Sequence, residues 1–339
     1  MTEKLQPTFA VGPAQIGATE RPYFIAEAGS NFDQDLDTGR RLIDIAAEAG
    51  ADAVKFQLFR ADALYPDRGA IHAAFKAVEL NPDWVPKLAE HAAARNLTFM
   101  ASAFDTQSLA VLESIDVAVH KIASSETTNL PLLDQIAATG KPLFLSTGMC
   151  DLVDVQEAVA RCLARGNRQV ALLQCGAMYP LPVEHVNLRV MDLFRDVFDA
   201  PVGFSDHSLG THITLAAVAR GAHVIEKHFT HSREAKGPDH FYALEPNELK
   251  QLIADAKDVY EALGTAQKEM LPSEREHGRR NGLYAARDIS DGTVLTAEDI
   301  KIQRPAIGLR ARHLDAATGM HATHAIAAGT PLTWDNLRP

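Results

Sequence analysis

Short β-branched or apolar runs alternate eight times with helical patterns between residues 24 and 264, and this alternation restricts the fold more than any other feature. The predicted strands are FIAEAG (24–29), AVKFQLF (53–59), TFMASAF (98–104) and VHKIAS (119–124), then PLFLST (142–147), VALLQC (170–175), VGFSDHS (202–208) and HVIEKHF (223–229). Between them lie Ala- and Leu-rich stretches of helical period, such as TGRRLIDIAAEAGA and LVDVQEAVARCLARG. Eight strands, each followed by a helix, is the count of an α/β fold of the (β/α)8 barrel type. Glycines after Ala49, Arg165 and Arg220 are helix stops ahead of the next strand. A doubly wound sheet is the rival, but no G-x-G-x-x-G follows the first strand.

The pattern breaks after residue 264. Residues 265–280 (TAQKEMLPSEREHGRR) are polar and punctuated by Pro and Gly, which predicts a linker between a barrel over 1–264, with a short N-terminal extension, and a module over 281–339. Within the module, GLYAARDI-SDG-TVLTAEDI and HATHAIAAG-TPLTWDNL resemble each other, which predicts a small pseudo-symmetric β-rich domain with a thin core. The formal net charge of −11 argues against general nucleic-acid or anionic-membrane binding. No apolar stretch reaches the ~20 residues of a membrane span. The start lacks an apolar run behind a basic segment, and Cys150, Cys162 and Cys175 form no C-x-x-C. A reduced, cytoplasmic protein is expected.

Polar residues gather where barrel strands end, which is where barrel enzymes keep their chemistry. The strands offer in turn Glu27, Lys55 with Gln57, Ser102, Lys121 with Ser124 and Glu126, Ser146, Tyr179, Ser205-Asp206-His207, and Glu226 with His228. Charges inside apolar strands are costly unless paired or used. Lys55 and Lys121 suit the phosphate and carboxylate of a small anion, or else salt bridges with Glu27 or Glu126, or a Schiff base. Ser124, Ser146 and Ser205 are phosphate donors or turn formers. His207 and His228 are two imidazole ligands of Mn²⁺, alternatively Mg²⁺ or Co²⁺, or hydrogen-bonded core histidines. Asp239 and His240, in the loop HSREAKGPDHF, either touch substrate or cap the loop, whereas His313, His321 and His324 have surface or packing roles.

The runs FIAEAGSNFDQDLDTGRRLID, GADAVKFQLF, HKIASSETTNLPLL, LSTGM, GFSDHSLG and VIEKHFT resemble the sialic acid synthase family. So does the tail GLYAARDISDGTVLTAEDIKIQRPAIGL, which resembles that family's antifreeze-like (SAF) domain; the likeness spans residues 20–337 in order. It implies a transferase that condenses phosphoenolpyruvate with an open-chain N-acylated hexosamine, N-acetylmannosamine first among them. It assigns Lys55, Lys121, Ser124, Ser146 and Ser205 to phosphoenolpyruvate and His207 and His228 to the metal. Glu27 becomes the acid or base near the sugar, Gln57, Glu126, Tyr179 and Asp206 shape the sugar site, and Glu27 or Glu126 would stabilise the electron-poor centre. Arg304 would reach the acyl group across a homodimer whose SAF domain lies over the partner barrel. Two positions depart from the family pattern: Ala177 replaces a polar residue, and Pro305-Ala306-Ile307-Gly308 replaces Pro-Gly-x-Gly.

Three alternatives follow. A sister enzyme would make legionaminic or pseudaminic acid from another acylated sugar. A phosphorylated-sugar synthase would want a second basic cluster. An ice- or carbohydrate-binding protein would use Thr293, Thr296, Thr323 and Thr330, but Glu298, Asp299 and Lys301 interrupt that face.

Overall fold

The computed structural model describes residues 4–17, 20–276 and 278–339, and the chain divides into two compact units, Met1–Gly264 and Thr265–Pro339. The first opens with an antiparallel hairpin that the sequence reading did not foresee, β1 (Thr8–Val11) and β2 (Ala14–Gly17). Strands and helices then alternate: β3 (Tyr23–Gly29), α1 (Leu36–Ala49), β4 (Ala53–Leu58), α2 (Ala61–Leu64), α3 (Ala70–Lys76), α4 (Val85–Ala94), β5 (Thr98–Ala103) and α5 (Thr106–Ser114). They continue with β6 (His120–Ile122), α6 (Leu130–Ala137), β7 (Leu143–Ser146), α7 (Leu152–Ala164) and β8 (Val170–Cys175). The unit ends with α8 (Val190–Phe198), β9 (Val202–Asp206), α9 (His212–Ala219), β10 (Val224–His228) and α10 (Pro246–Leu263).

Strands β3 to β10 are all parallel, and β10 pairs with β3 to close the barrel. The helices stop where the glycines predict: Gly50 takes φ +83° and its N–H bonds the last carbonyls of α1. An apolar layer between strands and helices holds Phe24, Leu42, Ile43, Val54, Leu133 and Leu252, all buried.

A second, smaller core fills the N-terminal end of the barrel. Phe9, Val11 and Ile16 of the hairpin pack there with Ile25, Ala53, Met100, Val119, Phe144, Ala171 and Val224. One end of the barrel is thereby closed with apolar groups, so any aqueous cavity must lie at the other.

The second unit contains α11 (Pro272–Glu276), which falls in the stretch read as a linker, then β11 (Gly282–Ala285) paired with β12 (Ile300–Gln303). After α12 (Leu314–Ala317), β13 (His321–Ala322) pairs with β14 (Leu337–Arg338). The two similar pieces end alike: Thr296 with Asp299, and Thr333 with Asn336, each form a reciprocal capping box just before a strand. Their core is small, with Leu283, Leu295, Ile326 and Leu332 among its buried members.

Candidate active site at the barrel mouth

Successive side chains of a strand point to opposite faces, so one residue fixes the direction of its whole strand. The plugged layer contains Ile25, Ala53, Met100, Val119, Phe144 and Val224. Two residues further along the same strands stand Glu27, Lys55, Ser102, Lys121, Ser146 and Glu226, and each lines a cavity of about 580 Å³. Ser205 joins them from β9, and one more step brings Gln57, Cys175, His207 and His228 into the same cavity. A polar shell therefore sits directly on an apolar floor, layered by the period of the strands.

The shell is a connected ion network. Lys55 Nζ lies 2.8 Å from Glu27 Oε2 and 3.7 Å from Glu226 Oε2, and it donates to Ser102 Oγ at 3.3 Å. Lys121 Nζ donates to Ser146 Oγ at 2.7 Å and stands 3.7 Å from Glu226 Oε1. Ser205 Oγ donates to Glu226 Oε1 at 2.8 Å, while Glu226 Oε2 has no hydrogen-bond partner among the described residues. Gln57 Nε2 donates to Glu27 Oε1 at 3.0 Å, and the Gly148 N–H donates to Ser124 Oγ at 3.0 Å.

Burial acts on these groups unequally. It raises the Glu27 carboxyl above the ordinary carboxylate range, with Lys55 only partly opposing the effect. Burial also pushes on Glu226, but Lys121 and then Lys55 overcome it and bring that carboxyl down to about 2. Burial lowers Lys121, whereas for Lys55 the charges of Glu226 and Glu27 outweigh burial and raise it. Two lysines thus face two carboxylates, of which Glu226 is held ionised and Glu27 is shifted toward its protonated form.

His207 and His228 meet at the upper edge, ring centroids 5.4 Å apart. His207 Nδ1 donates to the Gly176 carbonyl at 2.7 Å. His228 Nδ1 contacts Tyr242 Oη at 3.2 Å, and Tyr242 in turn donates to Asp239 Oδ1 at 3.0 Å. Both rings spend Nδ1 on a neighbour and keep Nε2 as the lone-pair nitrogen, an arrangement that suits metal-ligating imidazoles. Burial holds His228 down to about 3, so it is neutral. His207 is also depressed by burial, but the adjacent Cys175 more than offsets this and raises it. Among the described residues no cluster of three ligating side chains occurs. Metal ligation would use the Nε2 atoms of both rings in their neutral forms, with the remaining positions supplied by water or substrate.

The remaining expected residues fall in different places. Ser124, Glu126 and Tyr179 line the cavity; Glu126 accepts from Asn129 at 2.8 Å, and Tyr179 stacks on His207 at 4.1 Å. Asp206 does not reach it. Standing between inward-facing Ser205 and His207, it points by parity into the helix layer, where Lys227 at 2.9 Å, Thr214 at 2.5 Å and Ser208 occupy its oxygens. Its expected part in the sugar site is corrected to a structural one. Arg304 belongs to the second unit, where its Nε donates to Asn281 at 3.0 Å. In the loop after β10, Asp239 lines the cavity and accepts from Ser30 Oγ at 2.8 Å, whereas His240 is buried against Thr230 and Asp33.

Glu226, noted at its strand end without an assigned role, is the centre of the ion network, and Cys175, which carried no site role, lines the cavity by the same parity, four positions after Ala171. Lysines and serines over an apolar plug, with two histidines above, form a candidate site for a small anion. A model of the NeuB family matches residues 42–268 and one of the SAF domain matches 280–338, and the chain belongs to the NeuB family. It is a carbon–carbon bond-forming transferase of the nonulosonic acid synthase type.

It is 36% identical to the N,N'-diacetyllegionaminic acid synthase of Legionella pneumophila over 95% of this chain and 96% of that protein. Identity to the human N-acetylneuraminate-9-phosphate synthase is 34%, over 85% and 84% respectively. The solved structure of N-acetylneuraminic acid (sialic acid) synthetase from Leptospira borgpetersenii, in complex with citrate, is similar with a TM-score of 0.76. It is 32% identical and covers 81% of this chain and 96% of that one.

Proposed function

We propose that this enzyme condenses phosphoenolpyruvate with an open-chain N-acylated hexosamine, releasing phosphate and a nine-carbon 2-keto sugar acid. N-acetylmannosamine is the first acceptor, which would give N-acetylneuraminate. The observation that carries this reading is the inward shell of Lys55, Lys121, Ser146 and Ser205, which matches a phosphate and carboxylate on one anion. Likeness to a diacetyllegionaminic acid synthase favours a second acceptor, a di-N-acetylated hexose.

In this reading Lys121, Ser124, Ser146 and Ser205 take the phosphate and Lys55 the carboxylate, while Glu226 keeps both ammonium groups charged and apart. C3 of phosphoenolpyruvate attacks the aldehyde carbon and forms the new C–C bond. Glu27, whose carboxyl burial shifts toward its protonated form, delivers a proton to the aldehyde oxygen. The electron-poor C2 left behind is flanked by the bound phosphate and by Glu27, now ionised. Water adds at C2 and returns one proton to Glu27; as the C2–O bond to phosphate breaks, the new hydroxyl passes its proton to the departing phosphate and becomes the ketone. Gln57, Glu126 and Tyr179 orient the sugar, which converts a bimolecular encounter into a positioned one. His207 and His228 would hold a divalent cation (Mn²⁺, alternatively Mg²⁺ or Co²⁺) that supplies Lewis-acid polarisation of the aldehyde.

The same reading makes the protein a cytoplasmic homodimer, with each SAF domain presenting Arg304 to the partner's sugar site. Its three cysteines are free thiols, and no described helix is long and apolar enough to cross a membrane. Phosphate release from phosphoenolpyruvate, measured with and without N-acetylmannosamine and Mn²⁺, tests the reaction. Release that depends on both additions and stops with chelator is expected. Release from neither this sugar nor a di-N-acetylated one would refute it.

A further inference from the structure

Above the polar shell the cavity has a second surface of opposite character, which no step proposed above uses. It starts at the strand ends, where Phe59 follows β4 and Phe104 follows β5, ring centroids 5.7 Å apart. Phe75 of α3 meets Phe59 edge-on at 5.4 Å, and Tyr65 lies 4.8 Å from Phe75. Leu64 and Val78 extend the wall, and all six side chains line the cavity. Leu64, Tyr65, Phe75 and Val78 are only half-buried, so their apolar surface remains open.

The charges of this segment are spent on one another. Asp62 pairs with His72 at 3.0 Å and with Lys76 at 3.6 Å, and Lys76 pairs with Glu79 at 2.7 Å. None of these four lines the cavity. The segment over 61–79 therefore presents an apolar face to the cavity and keeps its charges in a network of its own.

The chemistry of the acceptor decides which part of it meets this wall. Its aldehyde must touch phosphoenolpyruvate on the lysine shell. Its acylated nitrogen sits on the next carbon and so stays near that shell. Carbons four to six are the part left to reach a wall that rises from the strand ends. We propose that Phe59, Leu64, Tyr65, Phe75, Val78 and Phe104 form a specificity subsite for the far end of the sugar, selecting a methyl group there over a hydroxymethyl or phosphorylated one. The inference rests on the reaction proposed above. A hydroxyl pressed against this wall loses its water partners without replacement, and a phosphate there loses far more.

The test compares N-acetylmannosamine, its 6-deoxy analogue, its 6-phosphate and an N-propanoyl analogue as acceptors. The 6-deoxy sugar should show a kcat/KM roughly tenfold higher than the parent, equivalent to about 1.4 kcal/mol, and the 6-phosphate should be the poorest. Phe75→Ser should bring the 6-deoxy-to-parent ratio toward one, whereas Phe75→Leu should keep it. If Phe75→Ser fails to fold, Val78→Ser serves in its place. Calorimetric binding of the same sugars to enzyme holding phosphoenolpyruvate and chelator reads the preference without turnover.

Equal use of the parent and 6-deoxy sugars overturns the wall and leaves the reaction standing. A gain from the N-propanoyl group alone also overturns it, because the wall would then hold the acyl end. Tighter 6-deoxy binding without any phosphate release supports the wall and sinks the reaction. No binding of either sugar sinks the wall.

Discussion

Lys55 and Lys121 occupy equivalent places in the shell with Glu226 between them, yet burial prevails at Lys121 and lowers it, whereas at Lys55 Glu226 and Glu27 outweigh burial and raise it. Removing one partner of a buried charge cluster costs far more than the cluster contributes, because the remaining charges are left uncompensated. Glu226→Gln should therefore destabilise the protein at pH 7 by about 3–5 kcal/mol, measured by urea unfolding. The sign with pH follows from its carboxyl, held at about 2 against an ordinary 4.5. A depressed carboxyl contributes stability that is complete above 4.5 and fades as the pH falls toward 2, so the wild-type advantage over Glu226→Gln should shrink across that interval. An advantage that persists unchanged below it would place the stabilising interaction elsewhere. Lys121→Ala should raise the KM for phosphoenolpyruvate on the order of a hundredfold, the loss of a buried charge–charge contact, and disturb the sugar KM much less. A variant impaired only toward the sugar would move Lys121 to the other end of the pocket.

At the scale of elements, barrel closure rests on β9 lying close to its neighbours. Where other strands carry Phe144, Ala171 or Val224 in the plugged layer, β9 carries Gly203, and a Cβ there would meet the Val224 carbonyl and come within 2.9 Å of Val224 Cβ. Gly203→Ala should lower stability by about 1–3 kcal/mol through overpacking, seen as a fall in Tm of several degrees. An unchanged Tm would mean that the β9–β10 seam can open without cost. The eight strands were legible because β-branched runs and glycine stops are local signals, and each observed strand lies within about two residues of its predicted one. The hairpin over 8–17 was not, since four-residue strands with turn chemistry between them carry little periodicity, and its Phe9, Val11 and Ile16 acquire meaning only beneath a closed barrel. The site was legible to the same degree: Lys55, Lys121, Ser146, Ser205, His207 and His228 all follow strand parity into the cavity. Asp206 is the exception: the resemblance assigns it to the sugar, whereas its parity turns it to Lys227 and Thr214 in the helix layer. The wall over 59–78 combines the residue after β4 with α2, α3 and the residues around them, whose return to the mouth no short-range pattern encodes.

At the scale of the whole molecule, the question is which barrel each SAF domain serves. The second unit has few buried apolar residues, and its Arg304 is exposed, with one neutral partner, Asn281, among the described residues. A guanidinium so placed contributes at most ~1 kcal/mol to its own fold, so its charge is free for use elsewhere. If Arg304 completes the partner's sugar site, two individually crippled chains should rescue each other. In a dimer of one Arg304→Ala chain and one Lys121→Ala chain, the barrel with Lys121 receives the intact Arg304 of its partner, and the other barrel lacks both. Random exchange of equal amounts makes about half the dimers mixed, each with one working pocket of two, so recovery should approach about one quarter of wild-type activity. The assay is phosphate release after subunit exchange, with exchange itself followed by a fluorescent label pair. Recovery identifies a composite site and explains why a small module would be retained beside a complete barrel. Exchange without recovery assigns Arg304 to its own barrel or to neither, and the proposed composite site falls.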